Sequence, residues 1–317
     1  MSSLSAHRAT DRLTLAVMER IPAVSRRHLA LLIHTSPMTA CRAADRLIRA
    51  GILIETYGTD TVGGRRGRFL TLDPAAPLLV WLNLSHPHES VTAIVTDALL
   101  RPLCRVEHRY SELYSDEDNL RLLWGKLRRH PAAQSLNVSN TGTGIAYLPP
   151  TVPDGDFISL LRDVTRDVHP AYSIEAVSES QAVTEACLHA VPLDCERLLC
   201  VQTGNQPHAV TLRFHCDADG AVQVRAEDEK TLTATLTHYL KSEPDGAVSR
   251  FVQDYGQFHA PTPAVWVCDS ERERPSAENI IFIKRKEAVI RGSLLVARRA
   301  LWADMLRHPS PDQALSR

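Results

Sequence analysis

The chain has 317 residues, 44% of them hydrophobic, and 36 basic against 37 acidic side chains, so it is long enough for two or three cored domains and nearly neutral overall. No apolar segment approaches the ~20 residues that span a bilayer, and residues 1–10 carry no apolar run of the secretory kind. Seven scattered cysteines without a C-x-x-C pair argue against disulfides, so a cytoplasmic protein with no membrane partner is expected.

In chain order, residues 13–20 (LTLAVMER) read as a first helix. Ser25 caps a second over 26–33, with Leu29, Leu32 and Ile33 as its buried side. Three residues later, Ser36-Pro37 opens a third helix: serine is a good N-cap, and proline suits the first helical position. Ala40, Ala44, Leu47 and Ile48 recur at helical spacing, whereas Thr39, Arg42, Arg46 and Arg49 fall on the other side. Gly51 supplies the left-handed residue that ends the helix. Residues 52–57 and 68–72 read as two short strands joined by GTDTVGGRRGR, a Gly-rich tip with Arg65, Arg66 and Arg68. Three helices, a three-residue turn and a basic hairpin make a winged helix-turn-helix.

Charge follows that division. Residues 1–73 hold 11 arginines and six carboxylates, net +5, which leaves −6 for the remainder. A basic front on an acidic body is expected where one part neutralises phosphates and the rest does not. A surface helix with three arginines is commonly just a solvated face, but that reading leaves the hairpin arginines unexplained.

After the Asp73-Pro74 linker the texture becomes α/β. Strands are expected at 78–84, 90–96, 103–108, 137–146 and 173–177, and helices at 116–129, 156–168 and 180–190. The pattern then repeats: strands at 197–203, 208–216, 221–226, 264–267 and 280–283, helices at 231–240 and 248–255, and a long amphipathic helix over 284–306. Three antiparallel strands followed by alternating helices and strands, twice over, describe a duplicated body.

The segments SPMTACRAADRLIRAGIL and GGRRGRFLTLDP, ahead of such a body, resemble the ROK family (repressor, open reading frame, kinase) in its transcription-regulator branch. The resemblance implies an α/β chain with a winged helix-turn-helix at 1–74. It implies two lobes, 75–195 and 196–317, of actin/sugar-kinase-like (ribonuclease H-like) fold, and a repressor of carbohydrate-related genes. Phosphoryl transfer by this fold needs a carboxylate and Gly-rich turns that bring backbone N–H groups to phosphates. Where the family has an acid and paired glycines, this chain has Asn83, Ser85 and His86; where it has a glycine run, Gly204 stands alone and Pro207 removes a donor. The family's Asn-Asp pair corresponds to Ser178-Glu179, with Glu179 and Ser180 reading as the acid and cap of a helix start. Its His-and-three-Cys zinc cluster has no counterpart: His86-x-His88 and Cys187-x-His189 are isolated pairs. No nucleophile elbow is present, and Gly142 and Gly144 precede no clear helix start, so a dinucleotide site is not indicated.

The chain is therefore expected to bind a palindromic double-stranded operator as a homodimer, without catalysis, metal or cofactor. Arg42 and Thr39 would read bases, with Cys41 beside a thymine methyl. Ser36, Arg26, Arg27 and Arg46 would meet phosphates, and Gly63 and Gly64 would bring Arg65, Arg66 and Arg68 to the backbone or minor groove. A sugar or sugar-phosphate effector would meet Asn83, Ser85, His86, Ser178, Glu179 and Gly204. The alternatives are an active sugar kinase with an appended winged helix, and a protein-binding scaffold.

Overall fold

The computed structural model describes residues 3–62, 65–74, 76, 78–86, 88–132, 142–148, 155–168, 172–191, 195–203, 207–216, 222–242, 246–258, 262–268 and 280–307. It partitions into two compact units, Leu13–Ala182 with Ser293–Arg317, and Met1–Arg12 with Val183–Gly292.

The first unit begins within helix α1 (Ser3–Met18), which starts ten residues before its apolar pattern does. Helices α2 (Arg26–Leu32) and α3 (Pro37–Arg49) follow, then the antiparallel pair β1 (Leu53–Val62) and β2 (Arg65–Leu72). The hairpin strands run further than expected: Arg66 pairs with Thr61 and Arg65 with Val62, past a bulge between Tyr57 and Thr61. A third edge comes from Val24, whose N–H and C=O both bond Leu70.

Beyond it lies a five-stranded sheet in the order β5-β4-β3-β6-β7: β3 (Leu79–His86), β4 (Ser90–Thr96), β5 (Pro102–Arg109), β6 (Gly142–Leu148) and β7 (Tyr172–Ser178). β3, β4 and β5 are antiparallel, whereas β6 and β7 run parallel to β3. Helices α4 (Asp116–Arg129) and α5 (Gly155–Val168) close one face: Leu120, Leu123, Trp124, Leu127, Phe157 and Leu161 bury with Val80, Leu82, Val91 and Ala93. Buried Trp124 donates through Nε1 to Thr165 Oγ1 at 3.1 Å, so the large ring sinks without an orphan donor.

Asn119, also buried, shapes the turn before α4. Its amide donates to the carbonyls of Ser111, Tyr114 and Ser115, and its Oδ1 accepts from the Ser111 N–H at 3.0 Å. Oδ1 also faces His108 Nε2 at 3.3 Å. Burial, then the Lys126 charge, lowers the His108 pKa, and the Asn119 contact offsets part of that.

The second unit repeats the plan. Helix α6 (Glu179–Ala190) leads to β8 (Arg197–Gln202), β9 (His208–Cys216), β10 (Val222–Glu227), α7 (Glu229–Ser242), α8 (Ala247–Phe258), β11 (Ala264–Cys268) and β12 (Ile280–Lys284). The sheet order β10-β9-β8-β11-β12 repeats the first, with the same two antiparallel and two parallel pairings. Leu232, Leu236, Phe251 and Val252 of α7 and α8 bury against Leu199, Val201 and Trp266. Cys187 and Cys200, both buried, meet at 3.3 Å between sulfurs, a thiol contact and not a bond.

The last helix, α9 (Arg285–Arg307), is not the narrowly amphipathic rod its sequence suggests. In the first unit Ser293, Leu294, Leu295, Ala297, Arg298, Leu301, Trp302 and Met305 are all buried. Arg298 is only 3% exposed: it donates to the Ala98 carbonyl at 3.1 Å, lies over the Trp302 ring at 4.8 Å and approaches Glu19 at 3.4 Å. Arg299 adds a 3.0 Å bond to the other Glu19 oxygen. Glu19, just past α1, is thereby gripped by the closing helix, with 2% of its side chain exposed.

Candidate nucleic-acid interface

Local chemistry builds the two helices. Ser25 Oγ accepts from the His28 N–H at 3.2 Å, and Ser36 Oγ from the Thr39 N–H at 3.2 Å. Each cap satisfies one of the orphan donors of a helix start, and Pro37 at the first turn has none to satisfy. Both helices end alike. Thr35 N–H bonds the Ala30 carbonyl and His34 N–H that of Leu31; Ile52 N–H bonds Leu47 and Gly51 N–H bonds Ile48. The left-handed residue is Gly51 (φ 71°) after α3 but His34 (φ 50°) in the turn between the helices. A side chain is strained there, and no apolar or glycine signal marks it.

Ala40, Ala43, Ala44 and Leu47 are the buried line of α3, so small side chains let it sit close against the core. Ile48 and Leu32, expected in the core, are half-buried. Opposite the alanines, the exposed line runs Met38, Arg42, Asp45, Arg49, at spacings of four, three and four residues. Thr39 and Arg46 flank it on one side and Cys41 on the other, all half-buried. Thr39 Oγ1 is 2.8 Å from Ser36 Oγ, so its hydroxyl already has a partner. Met38 stands beside Arg42 on this line and is 63% exposed, a position that the arginine spacing alone does not mark. Its i, i+4 spacing from Arg42 was the available signal.

The guanidinium groups differ in their commitments. Arg42 and Arg27 are exposed and make no hydrogen bond or ion pair among the described residues. Arg49 Nε donates to the Asp45 carbonyl at 3.2 Å. Arg68 on β2 is exposed, lies 5.5 Å from the Tyr57 ring centre and is 3.8 Å from Glu55.

Arg26 departs from its expected place at a phosphate. It bonds Glu55 at 2.6 Å, Asp45 at 2.6 Å and the Cys41 carbonyl at 3.2 Å, and is 27% exposed. Burial works against its charge, and the two carboxylates more than compensate, raising its pKa further. Arg26 thus ties α2, α3 and β1 together.

The hairpin carries its arginines on an ordered ladder. Thr56 opposes Phe69 and Tyr57 opposes Arg68. Gly58 and Gly67 leave room for the Phe69 ring: a Cβ on Gly58 would stand 2.7 Å from it, and one on Gly67 3.1 Å. Gly63 and Gly64 lie outside the described residues, and Arg65 and Arg66 are described by backbone register only.

Of the expected effector residues, Gly204 lies outside the described residues, and Ser85 and His86 are placed only as the end of β3. Asn83 is half-buried on the same strand. Ser178 is the side chain that caps α6, accepting from the Gln181 N–H at 3.3 Å, where Ser180 had been expected; Glu179 sits in the first turn as anticipated. Among the described residues no group of three or more metal-ligating side chains occurs, and no helix is long and apolar enough to cross a membrane.

No protein-family model matches the chain. No curated protein matches it by sequence. Solved structures do match. One is a ROK family transcriptional regulator, described as a homolog of the E. coli MLC protein; it aligns over 96% of this chain and 98% of its own, at 13% identity and a TM-score of 0.54. Two others are the ROK hexokinase from Thermus thermophilus, covering 71% of this chain and 99% of its own at 13% identity and TM-score 0.42, and the inorganic polyphosphate/ATP-glucomannokinase from Arthrobacter sp. strain KM, covering 71% and 100% at 11% and 0.40. The chain has the fold of a ROK transcriptional regulator along nearly its whole length.

Proposed function

We propose that the chain is a ROK-family DNA-binding transcription regulator. Residues 1–74 read a duplex, and lobes 75–195 and 196–317 form a non-catalytic body that pairs two copies and senses a small molecule. The observation that carries this reading is the outward line of α3, where Arg42 stands exposed without a partner among the described residues on a doubly capped helix, followed by a basic hairpin. The likeness in fold to a ROK regulator supports it.

Arg42 offers guanine its planar two-donor fork, worth about 1–3 kcal/mol of discrimination. Arg27 and Arg46, with Ser36 at the helix start, meet phosphates, and Arg65, Arg66 and Arg68 carry the wing to the backbone or minor groove. Arg26 holds this unit together and is not counted among the contacts. One winged helix spans too few base pairs for genomic selectivity, so two copies on a palindrome are the working form. The stretches at 82–87 and 203–208, without paired glycines or an acid, support a body that transfers no phosphoryl group. A sugar or sugar phosphate remains the effector class, met by Asn83, Ser85, His86, Ser178 and Glu179.

Titration of the full chain onto palindromic duplexes across a salt series tests the reading. Binding should weaken steeply with salt, Arg42→Ala should relax base preference, and Arg68→Ala should weaken all sequences and flatten the slope by about 0.9. A chain that shifts no duplex at low salt overturns it. Thermal-shift screening with sugars and sugar phosphates tests the effector.

A further inference from the structure

We infer that Met38 is a specificity-determining residue, reading the 5-methyl group of a thymine within about two base pairs of the one that Arg42 reads. The inference rests on the DNA-binding proposal and assigns a role to the one large apolar side chain on the outward line of α3.

Met38 is 63% exposed, although a thioether side chain gains by leaving water. It sits in the first turn, directly after Pro37, and Arg42 lies one turn further on. Four residues along a helix advance ~6 Å, about two base steps at ~3.4 Å each, so the two side chains address positions within about two base pairs of each other on one groove floor. The line continues through Asp45 and Arg49, and exposed Arg27 stands on α2. Asp45 is paired with Arg26 at 2.6 Å, which reduces its repulsion of phosphates.

An apolar tip framed by cations suits an occupant that is anionic around an apolar group. A protein's apolar patch would leave those arginines without counter-charges. The major groove provides both: phosphates at its rim and, on its floor, the thymine methyl as its sole apolar group. Methionine has three rotatable bonds and a polarizable sulfur, so it can settle onto a methyl without a fixed approach angle. Cys41, half-buried and on the flank of the line, is less well placed for that contact.

The test begins with the tightest duplex that the full chain selects from a random pool. Each thymidine in its half-site is then replaced singly by deoxyuridine, which removes only the methyl. At one position the wild type should lose about fourfold in affinity, the worth of one buried methyl-sized group. Met38→Ala should bind the thymidine and deoxyuridine duplexes equally, Met38→Leu should keep most of the difference, and Arg42→Ala should keep it while losing guanine preference. Equal wild-type affinity for every thymidine and deoxyuridine pair overturns the inference, as does Met38→Ala that still discriminates. In both cases the duplex is still bound, so the DNA-binding reading survives. A pool that yields no enriched duplex overturns both.

Discussion

Replacing Arg26 by methionine keeps the length of its stem and removes its charge, which separates holding the fold from touching DNA. The structure gives this guanidinium two ion pairs at 2.6 Å. Asp45 is 52% exposed, so that arm is worth about 0.5 kcal/mol. Glu55 is less exposed and, among the described residues, keeps Arg68 at 3.8 Å as its other ion-pair partner, so its arm is worth about 1.5 kcal/mol. Together the loss is about 2 kcal/mol, confined to the junction of α2, α3 and β1. Amide hydrogen exchange should report it as roughly 30-fold faster exchange in α2 and α3, with the amides of β8 and β11 unchanged. In DNA titrations the salt slope of Arg26→Met should match the wild type, whereas loss of a phosphate contact lowers it by about 0.9. Unchanged exchange with a slope reduced by about one would show that Arg26 leaves its carboxylates for a phosphate, and the clamp would be refuted.

Three further outcomes are expected. His34→Gly should stabilise the helix-turn-helix by roughly 0.5–1 kcal/mol, the left-handed strain relieved less the entropy of glycine, while His34→Val should destabilise it; denaturant midpoints give both signs. Glu19→Ala should cost up to about 3 kcal/mol by removing the carboxylate beside buried Arg298, which keeps the Ala98 carbonyl, and Glu19→Leu combined with Arg298→Met should recover much of that loss in the same assay. The lowered pKa of His108 means the unfolded chain takes up a proton first, so stability present at pH 7 and above should decline as pH falls below about 6.5; in His108→Gln the thermal midpoint should fall less between pH 7 and 5.

Features written in adjacent residues were legible from the sequence. Ser25, Ser36-Pro37 and Gly51 fix helix ends through bonds spanning two to five residues, and alternation in 90–96 and 208–216 placed β4 and β9 to the residue. The Arg26 clamp was not, because its partners lie 15 to 29 residues away and nothing local separates a tied arginine from a free one. The Val24–Leu70 pairing is hidden for the same reason. His34 holds a conformation that histidine does not announce, and α9 reads as amphipathic because Arg298 looks like a surface residue until Glu19 is in place. Within the site, the outward direction of α3 is legible from its arginines, but its centre is not, because Met38 and Asp45 share the exposed line without sharing their charge.

Through Arg298 and Arg299, Glu19 ties the step from α1 to α2 onto the closing helix, which on the proposed function would make a firm mount for α2 and α3. A mount of that kind loses little orientational freedom on reaching a duplex. In a paired molecule it would also fix the pitch between two half-sites, so adding or removing a few base pairs between them should cost far more affinity than a floppy tether would allow.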